Sequence, residues 1–147
     1  MTETFRTPPV EVTQPLIDGL VGLGGFTHPL FNPDPRQRAE GVRAPMPGQG
    51  VLLLVGGLVE QSGLLDHAIA LVGLREVRFL KMLKAGTTLH VELTPGTSAV
   101  TSSGKVVQHY RWAAVDAEGA LILEAEALML VRPQDDPAGP VTGEQAP

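Results

Sequence analysis

The chain has 147 residues, of which 43% are hydrophobic and 4% aromatic, and it carries a net charge of −5 with no cysteine. This length predicts one domain with its own hydrophobic core, built mainly from Val, Leu, Ile and Ala. The lack of cysteine excludes disulfides and thiolate nucleophiles and fits a cytoplasmic protein. The scattered basic residues argue against a nucleic-acid-binding face.

The first predicted element is a short amphipathic helix that begins after Thr13. Thr13 is a suitable N-cap, Pro15 follows in the first turn, and apolar residues recur at helical spacing until Gly24 and Gly25. Residues 26–47 hold five prolines and few periodic apolar positions, which predicts an ordered loop. Loops of this length in compact domains are usually functional.

The second predicted helix starts at Gly48, after Pro47, and covers the run GQGVLLLVGGLVEQSG. Its consecutive apolar positions indicate a helix buried on nearly every side, with a strand as the alternative. Gly56 and Gly57 each cost such a helix about 1 kcal/mol relative to Ala, which predicts close approach by a neighbouring element. The apolar run is too short to cross a bilayer, so no membrane association is expected.

After Asp66 the sequence alternates between apolar and polar residues, which predicts antiparallel strands. Turns are expected at Ser102–Gly104 and Asp116–Gly119, and Pro95–Gly96 predicts either a turn or a bulge and bend within one strand, of which we favour the bend. The element order predicts an α+β domain over residues 1–132, with the sheet covering the central helix on one face. Residues 133–147 are rich in Pro, Gly, Asp and Gln, and a disordered tail is predicted there.

Several segments, taken in order, resemble the MaoC-like hydratase and dehydratase family. They are GFTHPLFNPDPRQRA, then APMPGQGVLLLVGGL, then IALVGLREVRF and KAGTTLHVEL, within residues 16–132. In that family a loop of the form G-D-x-N-P-[IL]-H precedes a central helix that starts with P-G or H-G. The resemblance implies the hot-dog fold, an antiparallel sheet wrapped around a buried central helix.

The resemblance also implies a chemistry. In the family, a carboxylate and an imidazole on the loop hold the water that is added to, or removed from, the double bond of an acyl thioester. Backbone N–H groups at the start of the central helix stabilise the thioester oxygen, and here Gly48, Gln49 and Gly50 would supply them. Phe26 and Phe31 occupy the positions of the carboxylate and the histidine, so the proton-transfer pair is missing.

His28 is the only ionisable side chain inside the loop motif, and two interpretations of it stay open. It acts as the catalytic acid and base, or it bonds backbone groups of the loop. Phe26 and Phe31 are either packing residues or part of a substrate pocket for an acyl chain or ring. Glu60 lies about 18 Å along the helix from Gly48, too far to reach the same carbonyl, and a solvated helix-end role is expected.

Two functions follow as alternatives. The first is a hydratase or dehydratase-type lyase acting on an acyl thioester of coenzyme A or acyl carrier protein through a non-standard site. The second is a non-catalytic acyl-binding half of a hot-dog dimer, and thioester hydrolysis is disfavoured by the position of Glu60. A homodimer or heterodimer with another hot-dog protein is expected, since a single sheet leaves an edge uncovered. No cofactor and no metal site are predicted.

Overall fold

A computed structural model describes residues 3–132, which form an antiparallel sheet packed against helices. The predicted α+β architecture is confirmed, whereas the predicted disordered tail lies outside the described residues. The elements in chain order are β1 (Phe5–Arg6), β2 (Val10–Glu11), α1 (Gln14–Gly24), α2 (Pro35–Ala39), α3 (Gly48–Gln61), β3 (Ala68–Phe79), β4 (Thr88–Val100), β5 (Val106–Asp116) and β6 (Leu121–Val131).

Helix α1 begins and ends where the sequence predicts. The Thr13 hydroxyl accepts a hydrogen bond from the Leu16 N–H at 3.3 Å, which satisfies one of the free donors of the first turn. Gly25 follows the helix in the left-handed conformation with a φ of 70°, which suits a residue without a β-carbon. Ile17 and Val21 are buried, so α1 packs its apolar stripe against the core.

Helix α2 interrupts the segment that was expected to be entirely irregular. Asp34 accepts a hydrogen bond from the Gln37 N–H at 2.8 Å, and the Gln37 side chain accepts one from the Asp34 N–H at 2.9 Å. This reciprocal pair is a capping box, with Pro35 in the first helical position. The sequence therefore contained a helix-start signal that the density of prolines obscured.

Helix α3 is buried along one face and open along the other. Val55 and Val59 are fully buried, whereas Leu53 is 61% exposed. The prediction of a helix buried on nearly every side is therefore wrong, because the sheet covers only one side of it. Among the helices of residues 3–132, none is long and apolar enough to cross a membrane.

The glycines of α3 also differ from expectation. A β-carbon at Gly56 or Gly57 would meet nothing within 4 Å, so no described element approaches there and that prediction is wrong. Close approach occurs instead at the start of the helix. A β-carbon at Gly50 would lie 2.7 Å from the sulfur of Met46, and one at Gly48 would lie 3.1 Å from the ring of Phe79.

The sheet has the strand order β1-β4-β5-β6-β3, with β2 also pairing with β4. All pairings are antiparallel, and the short strands β1 and β2, which the sequence did not predict, extend one edge. Strand β3 forms the opposite edge and pairs only with β6 among the described strands. The largest fully buried core side chains are Ile17, Leu83, Leu89, Leu93, Ile122 and Leu123.

Two irregularities of the sheet lie in β4 and β3, besides a register shift between β5 and β6 at Ala114 and Val115. In β4 the pairing with β5 shifts register between Pro95 and Ser98 while the strand continues, which confirms the predicted bend. In β3 the register shifts between Arg75 and Arg78, and Glu76 has a φ of 50°, a left-handed conformation that is uncommon for a residue with a side chain. Beyond this bulge, β3 runs on to Phe79.

Candidate functional site

The first turn of α3 presents backbone donors that have no acceptor among residues 3–132. Val51 is the first residue whose N–H bonds within the helix, to the Pro47 carbonyl at 3.0 Å. Pro47 has no side-chain cap, and no acidic residue lies in the first turn. Within residues 3–132, the N–H groups of Gly48, Gln49 and Gly50 form no hydrogen bond, so together with the helix dipole they can bind a negatively charged oxygen.

The surroundings of these donors are mostly apolar. The ring of Phe79 lies over Gly48, which is partly buried, and Phe79 is itself 51% exposed. Gly50 is buried against Met46 and Leu20, while Gln49 is exposed. A β-carbon at Gly48 or Gly50 would crowd these neighbours, so glycine at both positions suits the packing here.

The loop after α1 is organised by two phenylalanines. The rings of Phe26 and Phe31 meet edge to face with centroids 5.5 Å apart, and both are partly buried against the core. Phe26 also covers Gly24, where a β-carbon would lie 2.5 Å from its ring. These contacts support the packing interpretation of the pair, and neither ring can transfer a proton.

His28 is exposed and lies in this same loop. Its Nδ1 accepts a hydrogen bond from the Leu30 N–H at 3.0 Å, which places the proton of the neutral ring on Nε2. The Asn32 amide donates to the carbonyls of Phe26 and His28 at 2.8 and 3.1 Å and fixes the loop. This hydrogen bond supports the second interpretation of His28, as a loop residue that bonds the backbone. Nε2 is the ring nitrogen that is left for proton transfer.

The carboxylate that follows the loop is also engaged locally. Asp34 caps α2, and its Oδ1 accepts from the Gln37 N–H. Asn32 and Asp34 therefore do not restore a carboxylate and imidazole pair next to Phe26 and Phe31. Leu20, about one turn before the end of α1, lies close to Gly50 at the start of α3. Helix α1 therefore packs between the loop that follows it and the backbone donors of α3.

A groove of about 890 Å³ runs along the open face of α3, between the helix and strand β3. Gln49 lies at the end near the free donors, and Glu60 and Asp66 lie at the other end. Glu60 is exposed, as the sequence analysis expected for a helix-end residue. The residues lining the middle are Leu52, Leu53, Gly56, Gly57, Leu65, Ala68, Ile69, Ala70, Leu71, Leu74, Trp112 and Met129.

The other histidines have specific partners. His67 Nε2 lies 3.2 Å from the hydroxyl of Tyr110, and burial raises the pKa of that phenol. His90 is buried, with Arg6 Nη2 3.3 Å from its Nδ1. Its Nε2 lies 3.3 Å from Glu92 Oε2. His109 pairs with Glu126 at 3.3 Å across β5 and β6.

Solved structures of known proteins share this fold. A MaoC-like dehydratase from Rhodospirillum rubrum is 20% identical over 90% of this chain and 94% of its own, with a TM-score of 0.73. The (R)-hydratase from A. caviae involved in PHA biosynthesis is 19% identical over 89% and 96%, with a TM-score of 0.68. The HadBC complex, a 3R-hydroxyacyl-ACP dehydratase from Mycobacterium tuberculosis, is 19% identical over 88% and 95%, with a TM-score of 0.69.

These similarities establish the hot-dog fold for this chain, as the sequence resemblance implied. No protein-family model and no curated protein matches the sequence. These three neighbours are a MaoC-like dehydratase, an (R)-hydratase and a 3R-hydroxyacyl-ACP dehydratase complex, and the chain spans nearly the full length of each.

Proposed function

We propose that this protein is an acyl-thioester-binding subunit of a hydratase or dehydratase of the MaoC-like type. The proposal rests on the contrast between the two parts of the site, the backbone donors at the start of α3 and the loop after α1. Three backbone donors at the start of α3 have no acceptor within residues 3–132, while the loop positions that would transfer protons hold Phe26 and Phe31. The chain thus keeps the half of the site that binds the thioester and lacks the half that moves protons.

The binding half has a clear chemical use. Removing or adding water next to a thioester carbonyl places negative charge on the carbonyl oxygen in an enolate-like transition state. Fixed N–H donors and the positive end of a helix stabilise such an oxygen without reorganisation. Gly48, Gln49 and Gly50 supply these donors here, and coenzyme A or acyl carrier protein would carry the acyl group.

In this proposal, a second subunit supplies the proton-transfer groups that this chain lacks. Strand β3 leaves one edge of its backbone unpaired within the described chain, and Leu71 and Val72 on it are 48% and 55% exposed. An exposed edge with apolar side chains favours pairing with another sheet. A second hot-dog protein that retains a carboxylate and an imidazole would complete the reaction, and a second copy of this chain would complete only the binding surface.

A second candidate function is hydration by this chain alone, with His28 as acid and base. It is favoured by the exposed Nε2 of His28, the one ring nitrogen of this residue without a partner within residues 3–132. Acid-base groups typically supply about 100-fold to 10,000-fold each, and this chain lacks both members of the family's pair. Hydration by the isolated chain is therefore expected to be very slow.

The enzymatic test is hydration of crotonyl-coenzyme A by the purified chain. We expect very weak or absent turnover, and any residual activity should be lost in His28→Ala and kept in Glu60→Ala. The double variant Phe26→Asp with Phe31→His tests whether a restored pair creates activity. Rapid hydration that survives His28→Ala would contradict both the binding-subunit proposal and the His28 alternative.

The binding test removes one backbone donor without disturbing the helix. Gly48→Pro deletes the N–H at the first helical position, where proline is tolerated, and Pro47 already has the extended conformation that precedes proline. Gly48→Ala is the matched control, because it adds the same β-carbon beside Phe79 and keeps the N–H. We expect calorimetry to show acyl-coenzyme A affinity about 3- to 10-fold lower for Gly48→Pro than for Gly48→Ala. Equal affinities would exclude this donor from the site.

A further inference from the structure

The indole of Trp112 holds an unsatisfied donor inside the protein. Trp112 is 4% exposed, and its Nε1 is the one buried side-chain nitrogen or oxygen of residues 3–132 that has no hydrogen-bond partner. Buried indole N–H groups usually find an acceptor, because leaving one unpaired forfeits a hydrogen bond that water would otherwise provide. This donor therefore needs an acceptor that the described chain does not supply.

Trp112 lies in the floor of the groove beside α3, together with Leu74 and Met129. Glu60 and Asp66 stand at one end of the groove and Gln49 at the other. Between these ends, the lining side chains carry no nitrogen or oxygen other than the indole nitrogen. Such a surface suits a mainly apolar occupant with one polar atom.

The strand register gives the distance of Trp112 from the donors of α3. Phe79, which covers Gly48, pairs with Leu123, and Leu123 pairs with Ala114 on β5. Trp112 lies two residues from Ala114 along the same strand, on the same face, which is about 7 Å. Strand β6 lies between β5 and β3, so the two rows are also about 10 Å apart across the sheet, and Trp112 lies roughly 12 Å from the Phe79 position that covers Gly48.

We propose that the Trp112 indole N–H donates a hydrogen bond to an oxygen in the acyl group of the bound thioester. The preferred substrates are then acyl groups that carry a keto or hydroxyl oxygen well along the chain from the thioester carbonyl, in place of a plain alkyl chain. This inference rests on the proposed function, since it requires the thioester to bind at the start of α3.

A second copy of the chain is a poorer source of the acceptor. Pairing at the β3 edge occurs in the plane of the sheet, whereas Trp112 lies on β5, with β6 between it and β3. A partner strand at that edge meets the backbone of β3 and not the floor of the groove. An acyl chain that starts at Gln49 and follows the groove passes the side chain of Trp112.

The experiment uses the full chain, which has a single tryptophan and therefore a single indole N–H resonance. The probes are a saturated acyl-coenzyme A and a series of oxo-acyl-coenzyme A esters of equal length, with the ketone at successive carbons. We expect one or two ketone positions to bind about 3- to 10-fold tighter than the saturated ester in calorimetry. The same esters should move the indole proton resonance downfield.

Two substitutions isolate the hydrogen bond. Trp112→Phe should remove the ketone preference, and replacing the indole with its benzothiophene isostere should do so while keeping the shape of the ring. Uniform affinity across the series, or a preference that survives the isostere, would overturn the inference. If the saturated ester binds and no ketone position is preferred, the inference alone fails. If no ester binds at all, the proposed function fails with it.

Discussion

The two faces of α3 both carry apolar side chains but have different surroundings. Val55, Leu58 and Val59 are at most 4% exposed beneath the sheet. Leu53 on the other face is 61% exposed, and a β-carbon at Gly57 would meet nothing within 4 Å. The first face holds the domain together. The second face lines the groove and is free for a ligand or a partner, so apolar character alone does not tell structural residues from binding residues.

The same contrast holds between the two halves of the site. In the proposed function, the proton-transfer half depends on side chains, and phenylalanine at its two positions would remove it. The oxyanion half depends on backbone N–H groups, which persist whatever side chains follow Pro47, provided that the helix begins there. A chain can therefore lose catalysis while it keeps the binding geometry.

The largest effect is expected on the covered face of α3. Leu58→Ala should destabilise the protein by about 2–5 kcal/mol, because it opens a cavity in the core that the neighbouring strands cannot fill. Chemical denaturation of the chain at low concentration measures this change. Leu58→Met is the matched control and should cost less than about 1.5 kcal/mol, since it nearly conserves the volume. A small cost for Leu58→Ala would mean that the sheet does not close on this face.

The second effect on stability is expected at Asp116, which lies at the end of the sheet where Phe79 covers the start of α3. Asp116 accepts hydrogen bonds from the Ala120 and Glu118 N–H groups and from Lys81 at 3.1 Å. The Ala120 N–H, assisted by Lys81 and Glu118 and opposed by burial, holds the pKa of the Asp116 carboxyl below its ordinary value. Since the folded-state pKa is lowered, the carboxylate stabilises the fold above its unfolded pKa of about 3.9, and this stabilisation is lost as the pH falls through the lower folded value.

Melting temperatures measured from neutral pH downward test this link. Asp116→Asn should melt below the parent at neutral pH, and the two should converge as the pH falls below about 3.9. Glu118→Gln changes an exposed carboxyl in the same turn and is the control, for which no such convergence is expected. A constant difference across the whole range would rule out the ionised carboxylate as the cause.

A smaller effect, of opposite sign, is expected on the open face. Gly57→Ala should stabilise the chain by about 0.5–1 kcal/mol, because alanine lowers the entropy of the unfolded chain and its β-carbon meets no atom here. Thermal or chemical unfolding reports the gain. In the control Gly50→Ala, the new β-carbon would lie 2.7 Å from the sulfur of Met46, so the gain should be absent or reversed. Destabilisation by Gly57→Ala would indicate that another molecule already packs against this face.

The smallest effect on stability is expected at Leu53. Leu53→Ser should change the unfolding free energy of the dilute chain by less than about 0.5 kcal/mol, since the side chain is largely exposed. If a second subunit covers this face, the same variant should weaken self-association in analytical ultracentrifugation. A loss in dilute solution as large as that of Leu58→Ala would show that the two faces are equivalent.

Much of the fold followed from local signals in the sequence. Thr13 and Gly25 marked the ends of α1, and the turns before Lys105 and after Asp116 fell where Gly104 and Gly119 predicted them, both with positive φ. The strands β1 and β2 were missed because each has only two residues and depends on pairing with β4. A two-residue strand carries no periodicity, so no pattern could indicate it.

The candidate site was predicted in part. The donors at Gly48, Gln49 and Gly50 were expected from the resemblance to the MaoC-like family, and the structure adds that the helix starts there without a side-chain cap. The role of Trp112 was not foreseen, because an indole in an alternating strand predicts only a buried ring. Its missing acceptor is visible only when the surroundings from α3, β3 and β6 are assembled around it.

The sequence by itself determined the element types, the α+β class and the resemblance to a hot-dog family, since caps, turns and periodicity act over a few residues. Tertiary structure alone decided which face of α3 is covered, that a β-carbon has room at Gly57 and not at Gly50, and that His28 accepts a backbone hydrogen bond. Those features depend on contacts between residues far apart in the chain, or on the exact path of a loop, and neither is encoded in a local pattern.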